Sequence, residues 1–151
     1  MRIALGSDHA GYELKEKLKS YLEGRGDSVI DCGTTSTASC DYPDFAHAVA
    51  TRVADQRAER GILVCGTGIG MAVSANKIPG VRAANIGSEV EAQLSREHND
   101  LNVLALGARL HSEEQARKIV DVWLATPFAG GRHQRRVDKI TELEKEAASH
   151  V

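Results

Sequence analysis

The chain of 151 residues suits one domain, 1–151, that buries about two-thirds of its unfolded surface. A net charge of −2 and 4% aromatic residues exclude a general nucleic-acid binder and a base-stacking platform. No apolar run nears the ~20 residues of a membrane span, no signal peptide is read at the amino terminus, and three cysteines without a C-x-x-C pair fit a reducing cytoplasm better than a disulfide framework or a zinc site.

Short apolar strands alternate with amphipathic stretches from the first residues on. A strand over 2–5 runs into Gly6-Ser7-Asp8-His9-Ala10-Gly11, and a helix over 12–23 leads to a strand over 28–31. Pro43 suits the first turn of a helix over 43–56. A strand over 62–65 ends at Cys65, and Gly66-Thr67-Gly68-Ile69-Gly70 opens a helix over 69–77. A strand over 81–85, a helix over 88–97 and a strand over 102–106 follow. Ser112-Glu113-Glu114-Gln115 reads as a capping box for a helix to Ala125, which Thr126-Pro127 stops. The last helix, 132–147, is polar except for Val137, Ile140 and Leu143, a narrow apolar face read as an arm that packs on a partner subunit. Strands alternating with helices imply right-handed crossovers and a doubly wound α/β fold with a five-stranded parallel sheet.

In such a sheet ligands bind beyond the carboxyl ends of the strands. The glycines after Cys65 let backbone N–H groups approach an anion, and the following helix adds partial positive charge that would also favour a thiolate. Met71 stands where a dinucleotide fingerprint needs its last glycine, and no Gly-Lys-Ser/Thr follows, so neither a dinucleotide site nor a P-loop is expected. Asp8 and His9 would share this crevice, although Asp8 equally suits capping of the next helix. His98 and Asn99 end the fourth helix, where a histidine serves either acid–base chemistry or the helix dipole. Arg132 and Arg136, four apart, can fork onto one phosphate, and Arg109 is a further cation after the fifth strand. Cys32, Cys40, His47 and His111 show no partner pattern and are read as structural.

Six motifs in order along the chain give it a resemblance to the type B ribose-5-phosphate isomerases and their galactose-6-phosphate isomerase relatives. They are Gly6-Ser7-Asp8-His9-Ala10-Gly11, Asp41-Tyr42-Pro43, Cys65-Gly66-Thr67-Gly68-Ile69-Gly70, Ala75-Asn76-Lys77, Ser95-Arg96-Glu97-His98-Asn99-Asp100 and Gly130-Gly131-Arg132-His133-Gln134. The resemblance implies a Rossmann-like three-layer domain with a carboxyl-terminal dimer-arm helix. It also implies aldose–ketose isomerisation of ribose 5-phosphate and ribulose 5-phosphate through a cis-enediolate, without metal or other cofactor.

Within it, Cys65 matches the base that moves the proton from C2 to C1, and His98 the group that opens the furanose ring. Asp8 and Thr67 match assisting residues, and the amides of Gly66, Thr67, Gly68, Ile69 and Gly70 match the enediolate cradle. His9, Arg132 and Arg136 match phosphate ligands, the arginines from the other subunit of a homodimer, with tetramers as a further state. Tyr42, Asn99 and Arg109 match other substrate contacts. One branch of the family uses a glutamate at the position of Met71, which cannot take a proton. Two alternatives stay open: the same chemistry on allose 6-phosphate, galactose 6-phosphate or a tetrose phosphate, and a sugar-phosphate-binding module without turnover.

Overall fold

The computed structural model describes residues 1–150. In chain order it contains β1 (Arg2–Ser7), α1 (Tyr12–Gly24), β2 (Ser28–Asp31), α2 (Tyr42–Ala54), β3 (Arg60–Cys65), α3 (Ile69–Ala75), β4 (Ala83–Asn85), α4 (Glu89–Asn99), β5 (Val103–Gly107), α5 (Glu113–Ala125) and α6 (Arg132–Ser149). All strand pairs are parallel, in the order β2-β1-β3-β5-β4.

The period-two alternation of the central strands sorts side chains into two cores. Ile3, Leu5, Ile62, Val64, Leu104 and Leu106 pack with Leu14, Leu18 and Leu22 of α1 and with Ile119, Val120 and Trp123 of α5. Ala4, Leu63, Cys65, Val103 and Ala105 pack with Ala46, Val49 and Ala50 of α2 and with Met71, Ala72 and Ala75 of α3. Each fully buried leucine contributes about 1.5–3 kcal/mol, so Leu18 and Leu22, with Leu14 nearly buried beside them, anchor α1. Smaller residues on the α2 face bring that helix close. A Cβ on Gly61 would lie 2.6 Å from Val49.

This arrangement is the expected doubly wound three-layer sheet. Strand order reverses between β1 and β3: the connection after β1 goes to α1 on one face, that after β3 to α3 on the other. A crevice therefore opens at the carboxyl end of β3.

Several boundaries shift by one or two residues from expectation, β1 running on to Ser7, β3 starting at Arg60, and α2 and α3 ending early at Ala54 and Ala75. Two of the shifts have a visible cause. The fourth strand starts at Ala83, because Val81 N–H closes a turn on Ile78 and Arg82 N–H is taken by the Asn102 side chain. The fourth helix runs on to Asn99, where Asp100 adopts φ 47° and ends it. The last helix docks on its own α4 side through Val137, which is buried, while Ile140 and Leu143 stay exposed.

Candidate active site

Cys65 is the last residue of the central strand, and its side chain turns toward the α2–α3 layer. The loop after it folds back over the sulfur, and Gly68 N–H donates to Cys65 Sγ at 3.1 Å. That turn needs Gly68 at φ 83°, a backbone region costly for side chains, and a Cβ there would meet the Leu106 backbone at 3.1 Å. Ile69 N–H donates to Thr67 Oγ1 at 3.2 Å, fixing the threonine at the start of α3. The thiol is sheltered, with 5% of Cys65 exposed.

Neighbouring loops complete this edge. Ala108 N–H donates to Cys65 O and Arg109 N–H to Gly66 O, which ties the loop after β5 to the loop after β3. Arg109 Nη1 would lie 3.2 Å from a Cβ on Gly66, so its guanidinium covers that glycine. Tyr42 lies against Gly70 so closely that a Cβ would reach its ring at 2.5 Å.

From the other side, Asp8 N–H donates to Val64 O, and Asp8 Oδ1 accepts from Gly11 N–H at 3.1 Å. Asp8 thus braces the turn that leads into α1, whose amino terminus carries no side-chain cap, so the capping reading is not met, and the residue stays nearly buried at the crevice. His9 Nδ1 accepts from Cys40 N–H at 3.3 Å. Cys40, read from sequence as merely structural, is therefore in contact with a candidate phosphate ligand. Met71 is fully buried in the α3 core, away from any role as a base.

His98, Asn99, Arg132 and Arg136 form a separate group. The fourth helix runs antiparallel to the strands and ends just before β5 begins, so His98 and Asn99 lie at the amino edge of the sheet. The start of α6 is held at that same edge. Ala129 N–H donates to Glu97 O, Arg96 Nε to Thr126 O, and the rings of His98 and His133 stack at 4.3 Å. The six-residue β3, roughly 17 Å long, spans the sheet between that amino edge and Cys65 at its carboxyl end. One chain alone does not bring the two groups together.

His133 escaped the sequence reading. It stood there only as a member of the Gly130–Gln134 motif, with no role assigned. Burial, then the charges of His98, Arg132 and Arg136, hold its imidazole below the usual range. The exposed guanidiniums of Arg132 and Arg136 and the stacked imidazoles gather positive charge at the edge of the sheet opposite the thiol of the same chain.

A doubly wound α/β fold with a sheltered thiol under an amide-lined loop, and a detached cluster of cations, defines an enzyme class acting on small anionic substrates. The chain belongs to the ribose/galactose isomerase family, whose sequence model matches residues 3–140. It is 49% identical over 144 residues to ribose-5-phosphate isomerase B of Escherichia coli (strain K12), covering 95% of this chain and 97% of that protein. The solved structure of Clostridium thermocellum ribose-5-phosphate isomerase B superposes with a TM-score of 0.96 at 50% identity, covering 97% and 99% of the two chains. The Mycoplasma genitalium ribose-5-phosphate isomerase B structure with bound ribulose-5-phosphate gives a TM-score of 0.92 at 45% identity, covering 96% and 97%.

Proposed function

We propose that this chain interconverts ribose 5-phosphate and ribulose 5-phosphate, with Cys65 carrying the proton and a second copy of the chain completing each site. The observation that carries the reading is the thiol fixed at the end of the central strand, with a backbone N–H aimed at its sulfur. A base there takes the proton from C2 of the open-chain aldose. Negative charge then builds on the carbonyl oxygen, where the amides of the 66–70 loop act as preorganised donors, each typically worth 10²–10³ in rate. Returning the proton to C1 gives the ketose. The shelter of the sulfur limits exchange of that proton with water.

His98 serves ring opening, Asp8 and Thr67 assist, and Tyr42, Asn99 and Arg109 position the sugar. His9, Arg132 and Arg136 hold the phosphate, supplying binding energy away from the reacting carbons. Because His98, Asn99, Arg132 and Arg136 lie at the edge opposite Cys65, they serve the thiol of a partner in a homodimer. The apolar groove beside α6 supports this assembly. About 760 Å³ in volume, it is lined in part by Ile86, Leu94, Leu101, Ile140 and Leu143.

The free cysteines suit a cytoplasmic setting, and among the described residues no helix is long and apolar enough to cross a membrane.

Cys65→Ala tests the base. It should abolish exchange of the C2 proton of ribose 5-phosphate with solvent while binding of the sugar phosphate persists, and undiminished exchange overturns the assignment. Comparing kcat/KM on four-, five- and six-carbon aldose phosphates tests the choice of sugar.

A further inference from the structure

Lys15 is a lysine with no exposed surface, and the isomerisation gives it no task. Such burial is costly unless the ammonium is fully paired. Here Lys15 Nζ donates to Asp31 Oδ1 at 2.8 Å and to the Thr34 carbonyl at 2.8 Å, and Glu16 Oε1 lies 3.0 Å away as an ion-pair partner. Asp31 Oδ1 also accepts from Gly33 N–H at 2.9 Å, and Asp31 Oδ2 accepts from Lys19 at 3.2 Å. Burial alone would raise the Asp31 carboxyl, but these donors outweigh it and hold it below the usual range.

The lysine thereby fixes the segment that leaves β2. Cys32 N–H donates to Leu5 O, Ser7 N–H to Gly33 O and Thr34 N–H to Ser7 O, so the parallel pairing with β1 continues to the residue before Asp8. Beyond the exposed 35–39 stretch the chain returns at Cys40, whose N–H meets His9 Nδ1 at 3.3 Å and whose sulfur lies 3.9 Å from that nitrogen. A backbone N–H can only donate, so Nδ1 must accept, and the ring proton is left on Nε2. Elsewhere, partners of this kind fix the tautomer of a histidine ligand and sharpen its binding.

We propose that Lys15 is a positioning residue for substrate phosphate: by clamping the 31–34 segment it seats the Cys40 N–H on His9, which is locked as the Nε2–H tautomer and presents one oriented donor to the phosphate. This rests on reading His9 as a phosphate ligand, and the tests below need no isomerase activity.

The first measurement is NMR of the full-length protein labelled at its histidine ring nitrogens. His9 should show an unprotonated Nδ1 and a protonated Nε2, and a protonated Nδ1 or an averaged pair overturns the proposal. The second is calorimetric titration with inorganic phosphate. Lys15→Met should weaken phosphate binding about threefold to tenfold, the range expected for one misplaced donor, and turn the His9 signals toward an averaged tautomer. In a His9→Ala background, Lys15→Met should weaken it no further. A merely structural lysine would instead cost the same factor in both backgrounds and leave the tautomer fixed, and either result overturns the proposal. Should Lys15→Met fail to fold, Asp31→Asn takes its place with the same readouts, and the wild-type spectrum decides alone if both fail.

Discussion

His98 and His133 lie face to face, their ring planes 14° apart, and join the last turn of α4 to the first turn of α6. A second proton on this pair would put two cations in contact, with Arg132 and Arg136 beside them and only Glu97 opposing. His133 is accordingly held below the ordinary imidazole range, so the unfolded chain takes the proton first as pH falls. Stability is intact above that range and declines as pH drops through it toward the folded value. In His133→Gln the fall in Tm between about pH 7.5 and about pH 5.5 should be smaller than in wild type. Thermal unfolding followed by circular dichroism checks this, and an unchanged fall removes His133 from the account.

Gly68 meets two demands at once, a φ of 83° and an N–H aimed at Cys65 Sγ. Gly68→Ala forces a side chain into the left-handed region and against the Leu106 backbone, costing about 1–2 kcal/mol of stability. The larger effect should fall on turnover, because the donor moves off the sulfur. We expect kcat to drop at least tenfold, with KM changing less. Steady-state kinetics on ribose 5-phosphate decide, and a variant altered in KM alone would show that the loop serves binding only.

The layers and most helix boundaries were legible because each follows from local rules. Ser88 and Ser112 accept from Glu91 N–H and Gln115 N–H as N-caps should, and Pro43 sits in the first turn of α2. The 81–85 stretch looked like a longer strand because Val81 is apolar, but only the fold reveals that Asn102 captures Arg82 N–H. Pairings between distant segments had no pattern to read. His9 with Cys40, Lys15 with Thr34, and His98 with His133 each depend on how separate elements dock. Topology also put His98 at the sheet edge opposite Cys65, which a motif list cannot show.

That separation predicts complementation. Cys65→Ala and Arg136→Ala homodimers should each be inactive as isomerases. In a heterodimer one site carries both defects and the other neither. After equal mixing and reassembly, half of the dimers have one intact site, so about a quarter of wild-type activity should return. Heterodimers isolated with two different tags should show about half of wild-type activity, and no recovery there would place each site within one chain.

Asp31 offers a test at low pH. Its folded carboxyl lies below the ordinary value of about 3.9, so its contribution is present above that value and lost as pH falls through the lower one. Asp31→Asn should lower Tm at about pH 7, and its deficit should shrink as both proteins approach about pH 3. A deficit constant with pH would mean that shape, not charge, sets the role of Asp31.

Leu143 projects from α6 with 64% of its surface exposed, and Leu94 of α4 and Ile140 line the same groove. Large apolar side chains left open on two adjoining helices match a surface that a partner covers, since obligate interfaces are built from such residues. A carboxylate placed there would be stranded on assembly but harmless to a monomer, whose core it does not touch. Leu143→Asp should therefore sediment as a monomer with unaltered helix content. Isomerisation should fall at least a hundredfold, because a monomer holds Cys65 without a facing set of His98 and Arg136. Velocity sedimentation run beside the kinetic assay makes the link: a variant that is monomeric yet fully active would show that the thiol needs no second copy.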